Sequence, residues 1–195
     1  MNIERNEIYN IMKNIINTKN EEVKNTVSGL FEKAWELEGN AIGQIGEAFI
    51  KKIFKQQNAL AKENEKNIHD EYDILYKNNK IEIKTAKIGV KAKTFQFNGI
   101  NPKYNYDLLI FLGIEPNAIK YRIVKKEQIY YDHNSKVRGD KIKYELNGKE
   151  KIKRLVSMNP GNDVNKKITL STQELYDDID NIFLNIEKLI KLKNI

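Results

Sequence analysis

Asp73, Glu82 and Lys84 are the residues of this chain whose types and spacing can do chemistry. They lie in the run from Tyr72 to Lys84, where Ile74, Tyr76, Ile81 and Ile83 alternate with polar residues around Asn78-Asn79. Asparagine tolerates positive φ, so Asn78-Asn79 is expected to make a two-residue turn that sets Tyr76 opposite Ile81, Leu75 opposite Glu82 and Asp73 opposite Lys84. Period-2 alternation then turns Ile74, Tyr76, Ile81 and Ile83 to one side and Asp73, Glu82 and Lys84 to the other. The diagonal pair Asp73 and Glu82 should lie about 7–8 Å apart at the backbone, close enough to grip one divalent cation. Hard oxygen ligands suit Mg²⁺, which keeps several waters and binds through one or two carboxylates plus phosphate oxygens, and Mn²⁺ can substitute. A cation there polarises a phosphoryl oxygen and activates a water. Lys84 can orient that water or neutralise charge developing on the phosphate, so the chemistry this pattern points to is phosphodiester hydrolysis. The plain alternative is a solvated sheet face, which a chain that is 31% charged can offer.

Asp73, eight intervening residues and then Glu82-Ile83-Lys84 resemble the D…(D/E)-x-K core of the PD-(D/E)XK nuclease superfamily. Tyr72 stands where the family name places a proline. Gly43-Gln44-Ile45-Gly46-Glu47-Ala48-Phe49 resembles the helix upstream of that hairpin, which often carries a further active-site glutamate. Over residues 39–131 the resemblance implies Asp73, Glu82, Lys84 and Glu47 as catalytic residues. It also implies a metal site of Asp73, Glu82, Ile83 and Glu47. The implied fold is α/β and restriction-endonuclease-like, a central mixed β-sheet flanked by helices, with N-terminal helices and a C-terminal helix. The implied activity is Mg²⁺-dependent cleavage of double-stranded DNA, as in a type II restriction endonuclease. A structure-specific repair or recombination nuclease of the same fold, and a catalytically silent nucleic-acid-binding module, are the alternatives.

The elements that must position these residues can be read from periodicity. Ile42, Ile45, Phe49 and Ile53 form a 3.6-period stripe, so an amphipathic helix should pack them on the sheet. Glu47 falls off that stripe, beside Gly43, Ile50 and Phe54, where an unpaired carboxylate would be costly. Gly43 and Gly46 each cost about 1 kcal/mol in a helix interior and point to a close neighbour. Residues 107–112 form an apolar run of the kind found in a buried central strand. Residues 119–124 alternate as its neighbour should, with Glu115-Pro116-Asn117 between them as the turn. Helices are expected over 3–17 and 20–37, the latter with Val23, Val27, Leu30, Ala34 and Leu37 on one face. Ser171 and Glu174 resemble a capping box opening a last helix whose apolar face is Leu175, Ile179, Ile182, Ile186 and Leu189.

The formal net charge of +7 allows a polyanionic partner. Lys84, Lys87, Lys91, Lys93 and Lys103 follow one another with no acidic residue between, and Gln96 and Asn98 lie among them. The lysines can neutralise phosphates, while Gln96, Asn98 or Asn101 can read base edges. A second basic stretch contains Arg138 and Lys141. Asn147-Gly148 closes the alternating run 141–146 into a hairpin that can enter a DNA groove.

The 195 residues suit one domain, divided into an N-terminal helical element (1–38), a catalytic core (39–131), a basic β insertion (132–170) and a C-terminal helix (171–195). With no cysteine, thiol chemistry and disulfides are excluded, which fits a reducing cytoplasm. The longest apolar runs fall well short of a membrane span. No Gly-rich phosphate loop is present, so no nucleotide cofactor is expected. His69 and His133 have no zinc-like spacing and read as surface residues. Cutting both strands of a palindrome favours a homodimer.

Overall fold

Leu108–Ile114 is buried along its whole length, as expected of a strand covered on both faces. In the computed structural model, which describes residues 27–57, 71–159 and 161–191 together with 21, 59 and 62–63, this strand is β5 of a five-stranded sheet. The others are β1 (Lys62–Glu63), β2 (Ile74–Tyr76), β3 (Asn79–Lys87) and β6 (Ile119–Lys125), in the order β1-β2-β3-β5-β6. Only β3 and β5 run parallel, which makes the sheet mixed.

Side-chain alternation along β5 builds two cores. Leu108, Ile110 and Leu112 join Ile74, Tyr76, Ile81 and Ile83 on one face, under helices α1 (Gly39–Gln56) and α2 (Ile182–Lys191). Leu109 and Phe111 point the other way, against Phe95, Phe97, Ile142, Ile168 and Leu170 of a second β layer. That layer has two small sheets. One contains β4 (Thr94–Ile100), β10 (Val156–Asn159) and β11 (Asn162–Ser171), ordered β10-β11-β4, and the other contains β7 (Ile129–Asp132), β8 (Gly139–Leu146) and β9 (Lys149–Arg154). Both described helices therefore cover one face of the main sheet, and strands cover the opposite face. Because β4 pairs with β11, the segment read as a basic insertion shares a sheet with the segment read as the core.

The β2–β3 hairpin forms, but its turn is Lys77-Asn78, with φ of 47° and 60°. Tyr76 then pairs with Asn79 and Ile74 with Ile81, two residues away from the expected register. Asn79 secures this turn by donating from Nδ2 to the Lys77 carbonyl at 2.8 Å. A shift of two residues leaves every side chain on its expected face, whereas a shift of one would have reversed them all.

Three other elements differ from expectation. In α1 the buried row is Ile42, Gly46, Ile50 and Phe54, while Ile45 is 41% exposed. Gly46 sets this row: a Cβ there would fall 1.8 Å from Thr85 Oγ1, so the helix backbone lies directly on β3. Of the expected helix 20–37, Glu21 is helical, but the described residues 27–37 form no α-helix. Leu30 N donates to Asn117 Oδ1 and Phe31 N to the Pro116 carbonyl, which leaves a 3₁₀ turn over Glu32–Glu36 with no buried residue. The expected helix 3–17 lies outside the described residues. At the other end, the Ser171/Glu174 capping box closes only the 3₁₀ turn Thr172–Glu174, and α2 begins at Ile182 with Ile182, Ile186 and Ile190 buried. Leu175 instead packs in the second β layer. No helix among the described residues is long and apolar enough to cross a membrane.

The Gly46 contact yields a stability test. Gly46→Ala gains about 1 kcal/mol of helix propensity, but with an approach of 1.8 Å to Thr85 Oγ1 the overpacking cost lies at the upper end of about 1–3 kcal/mol and outweighs it. The variant is expected to unfold at lower denaturant than wild type, and Gly46→Ala with Thr85→Ala, which removes the 1.8 Å contact and keeps the 2.9 Å contact to the Cβ of residue 85, is expected to recover part of the loss. Equal midpoints for wild type and Gly46→Ala in urea would show that this contact does not position the helix.

Candidate active site

β2 pairs with β3 only through Asn79, Lys80 and Ile81. From Glu82 onward β3 keeps β5 on one side, with no strand on its other side among the described residues. Asp73, one residue ahead of β2, fills the first place along this open edge. Its backbone N–H donates to the Ile81 carbonyl at 2.9 Å, and its Oδ2 accepts the Ile83 N–H at 2.7 Å. The carboxylate thus extends the ladder where the backbone has turned away.

Glu82 is 6% exposed and shares a hydrogen bond with Asp73. Burial, reinforced by the Asp73 charge and opposed by Lys84, raises the Glu82 carboxyl to about 7. Burial raises Asp73 as well, against the lowering effect of the Ile83 N–H and the Lys84 and Lys51 charges. Two adjoining carboxylates in a poorly solvated place are costly as anions, and a cation offsets that cost. Lys84 supplies one now, because its ammonium forms an ion pair with Glu82, and not with Asp73 as the expected register had implied.

Lys84 also opens onto a cleft of about 850 Å³. Glu47, half-buried, lines the cleft from α1, on the opposite side of β3's free edge from the Asp73–Glu82 pair. The cleft also takes in Ile83 and Lys87 from β3, and Gln96 and Asn98 from the exposed face of β4. Among the described residues no three His, Asp or Glu side chains converge closely enough to hold a metal, so the compact donor set is Asp73 with Glu82. Two carboxylates suffice for an ion that keeps most of its waters. The hard oxygen donors of this pair are of the type that Mg²⁺ takes.

The candidate DNA-binding residues divide. Lys91 and Lys93 are exposed on the turn between β3 and β4, at the rim of the cleft where Gly89 and Ala92 line it. Lys87 is committed, donating to the Leu37 carbonyl at 2.7 Å, and burial lowers its ammonium below the usual lysine range. Lys141 is also committed, in a 2.8 Å ion pair with Asp132. Arg138 is exposed on the β7–β8 loop, and Lys103 is exposed after a turn in which Asn101 Oδ1 accepts its N–H. Asn101 is buried there and does not face the cleft. His133 is exposed, its ring centroid 4.5 Å from that of Tyr131, and His69 lies outside the described residues. Sequence reasoning missed Asn40, Gln44, Met158 and Asn165, all of which line the cleft. It also missed Tyr106, a buried phenol raised by burial and by the Glu82 charge. Polar residues far apart in the chain carry no local signal of convergence.

No protein-family model, curated protein or solved structure matches this chain.

The raised carboxyl makes stability depend on pH. A folded-state value above the unfolded 4.5 means that Glu82 stabilises the fold when protonated, and this contribution disappears as pH rises through about 7. In metal-free buffer the thermal midpoint of wild type should therefore fall between about pH 5 and pH 8, and Glu82→Gln should flatten the fall. Identical slopes for the two proteins would contradict the assignment of a buried, raised carboxyl to Glu82.

Proposed function

We propose that the protein is a Mg²⁺-dependent endodeoxyribonuclease of restriction-endonuclease-like fold, hydrolysing double-stranded DNA as a type II restriction endonuclease does. The observation that carries this reading is the Asp73–Glu82 carboxylate pair, with Glu82 buried and Asp73 half-buried, beside an ion-paired lysine that opens onto a cleft. The D…E-x-K spacing, the mixed sheet and the placement of Glu47 on the cleft wall all support it.

Asp73 and Glu82 would hold the ion, with the Ile83 carbonyl as a backbone donor and Glu47 acting through water. The ion supplies Lewis-acid activation of phosphate and water. Hydrolysis adds the water oxygen to phosphorus, breaks one P–O bond to the sugar and returns a proton to the leaving oxygen. Lys84 stands where its ammonium can donate to a phosphate oxygen as negative charge grows there, in a partly buried place where such a charge counts for more than in water. Asp73 acts twice, as a ligand and as the acceptor that fixes the Ile83 backbone beside Glu82. Lys91 and Lys93 supply positive charge at the cleft rim for the DNA backbone.

Single-turnover cleavage of a labelled duplex tests the assignment. Asp73→Ala and Glu82→Ala should abolish Mg²⁺-dependent cutting and leave a folded protein. Lys84→Met should stay folded, with a lowered thermal midpoint because Glu82 loses its cation, and should lose roughly 10²–10⁴-fold in rate at a temperature where it is fully folded. Glu47→Ala should fall between wild type and these variants, since water can replace an outer ligand. A Lys84→Met protein that melts lower and cuts at the wild-type rate would reduce Lys84 to a structural partner of Glu82.

A further inference from the structure

We infer that the cleft reads adenine in the base pairs adjoining the cut, a preference that rests on the nuclease reading above. The cleft is lined by five carboxamides: Asn40 and Gln44 from α1, Gln96 and Asn98 from β4, and Asn165 from β11. Gln96 Nε2 donates to Asn98 Oδ1 at 3.1 Å. This bond orients both amides and leaves Gln96 Oε1 to accept and Asn98 Nδ2 to donate. An acceptor beside a donor complements the major-groove edge of adenine, whose N6 amine donates and whose N7 accepts. Guanine presents two acceptors on that edge and calls for a cation. Neither lysine lining the cleft is assigned to a base: Lys84 pairs with Glu82 and in the nuclease reading serves the phosphate, and Lys87 donates to the Leu37 carbonyl.

Position ties the amide pair to the chemistry. Asn98 precedes Gly99, where a Cβ would lie 3.8 Å from Lys84 Nζ. A base held by Asn98 therefore neighbours the phosphate that Lys84 serves. Asn165 gives an independent indication. Asn165 lines the cleft, and its Oδ1 lies buried behind that lining with no hydrogen-bond partner among the described residues, so a side-chain turn toward the cleft would bring it to a donor. An orphaned buried acceptor costs about 1–3 kcal/mol, and a donor such as the adenine amine satisfies it. Met158, 36% exposed on the same wall, offers a flexible apolar contact suited to the thymine methyl of the same pair.

The test digests a duplex library of random sequence in Mg²⁺ and sequences the ends. Adenine should be enriched in the positions adjoining the cut. The preferred site is then resynthesised with 7-deazaadenine, which keeps pairing and loses N7. Its single-turnover rate should drop about tenfold or more, as expected for one lost base contact. Asn98→Ala should bring the rates on adenine and 7-deazaadenine sites close together. Ends without adenine enrichment, or equal wild-type rates on the two sites, would overturn the inference and leave the nuclease reading standing. An absence of any Mg²⁺-dependent ends would overturn both.

Discussion

The hydrogen bond from the Ile83 N–H to the Asp73 carboxylate sits where β2 parts from β3, and the proposed chemistry depends on that parting. Had β2 continued alongside β3, its backbone would have occupied the edge that Asp73 fills, and Glu82 would have faced another strand. With the edge open, groups from both sides of the sheet can approach one another around it. Glu47 comes from the helical side, while Asp73, Glu82 and Lys84 come from the side of the second β layer. A buried carboxyl beside a half-buried one is costly, and the fold tolerates the pair through Lys84 and the Ile83 N–H.

Both layers hold that edge in place. On the helical side, Gly46 brings α1 down onto Thr85, while Ile50 and Phe54 anchor its remainder on the sheet. On the other side, Arg122 of β6 is 2% exposed, lies between the rings of Tyr144 and Tyr176, and donates to the carbonyls of Glu174 and Glu145. Glu174 in turn accepts from Tyr144, Lys153 and the Ser171 backbone. These bonds hold its carboxyl down near 2 even though burial pushes the other way. The network joins β6, β8, β9 and the end of β11, so it fixes the second layer, and with it β4 and its amides, against the main sheet.

Much of the candidate site's grouping was legible because it is local. Asp73, Glu82 and Lys84 share a hairpin, and period-2 alternation assigned their face correctly even though the turn was misplaced. The misplacement has a physical cause: lysine type gives no hint of positive φ, and the Asn79 side chain that stabilises it acts one residue beyond the turn. The face of α1 was misread because Gly46 carries no hydrophobic signal and yet occupies the buried row. Ile45 looks like core and points to solvent. The capping box at Ser171 is real, but a cap specifies where a turn starts and not how far a helix runs. Charge counting overstated the basic surface, since it could not foresee Lys141 meeting Asp132 or Lys87 meeting a backbone carbonyl. Asn165 joined the cleft through strand pairing between β11 and β4, a contact with no trace in local pattern.

The most direct test of a metal-dependent nuclease centre at the edge of β3 follows supercoiled plasmid with purified protein in Mg²⁺, in EDTA, and in Mg²⁺ with Glu82→Gln. The account predicts linear or fragmented DNA in the first reaction and intact supercoils in the other two. Intact plasmid in all three, or cutting that persists in EDTA or with Glu82→Gln, would contradict it.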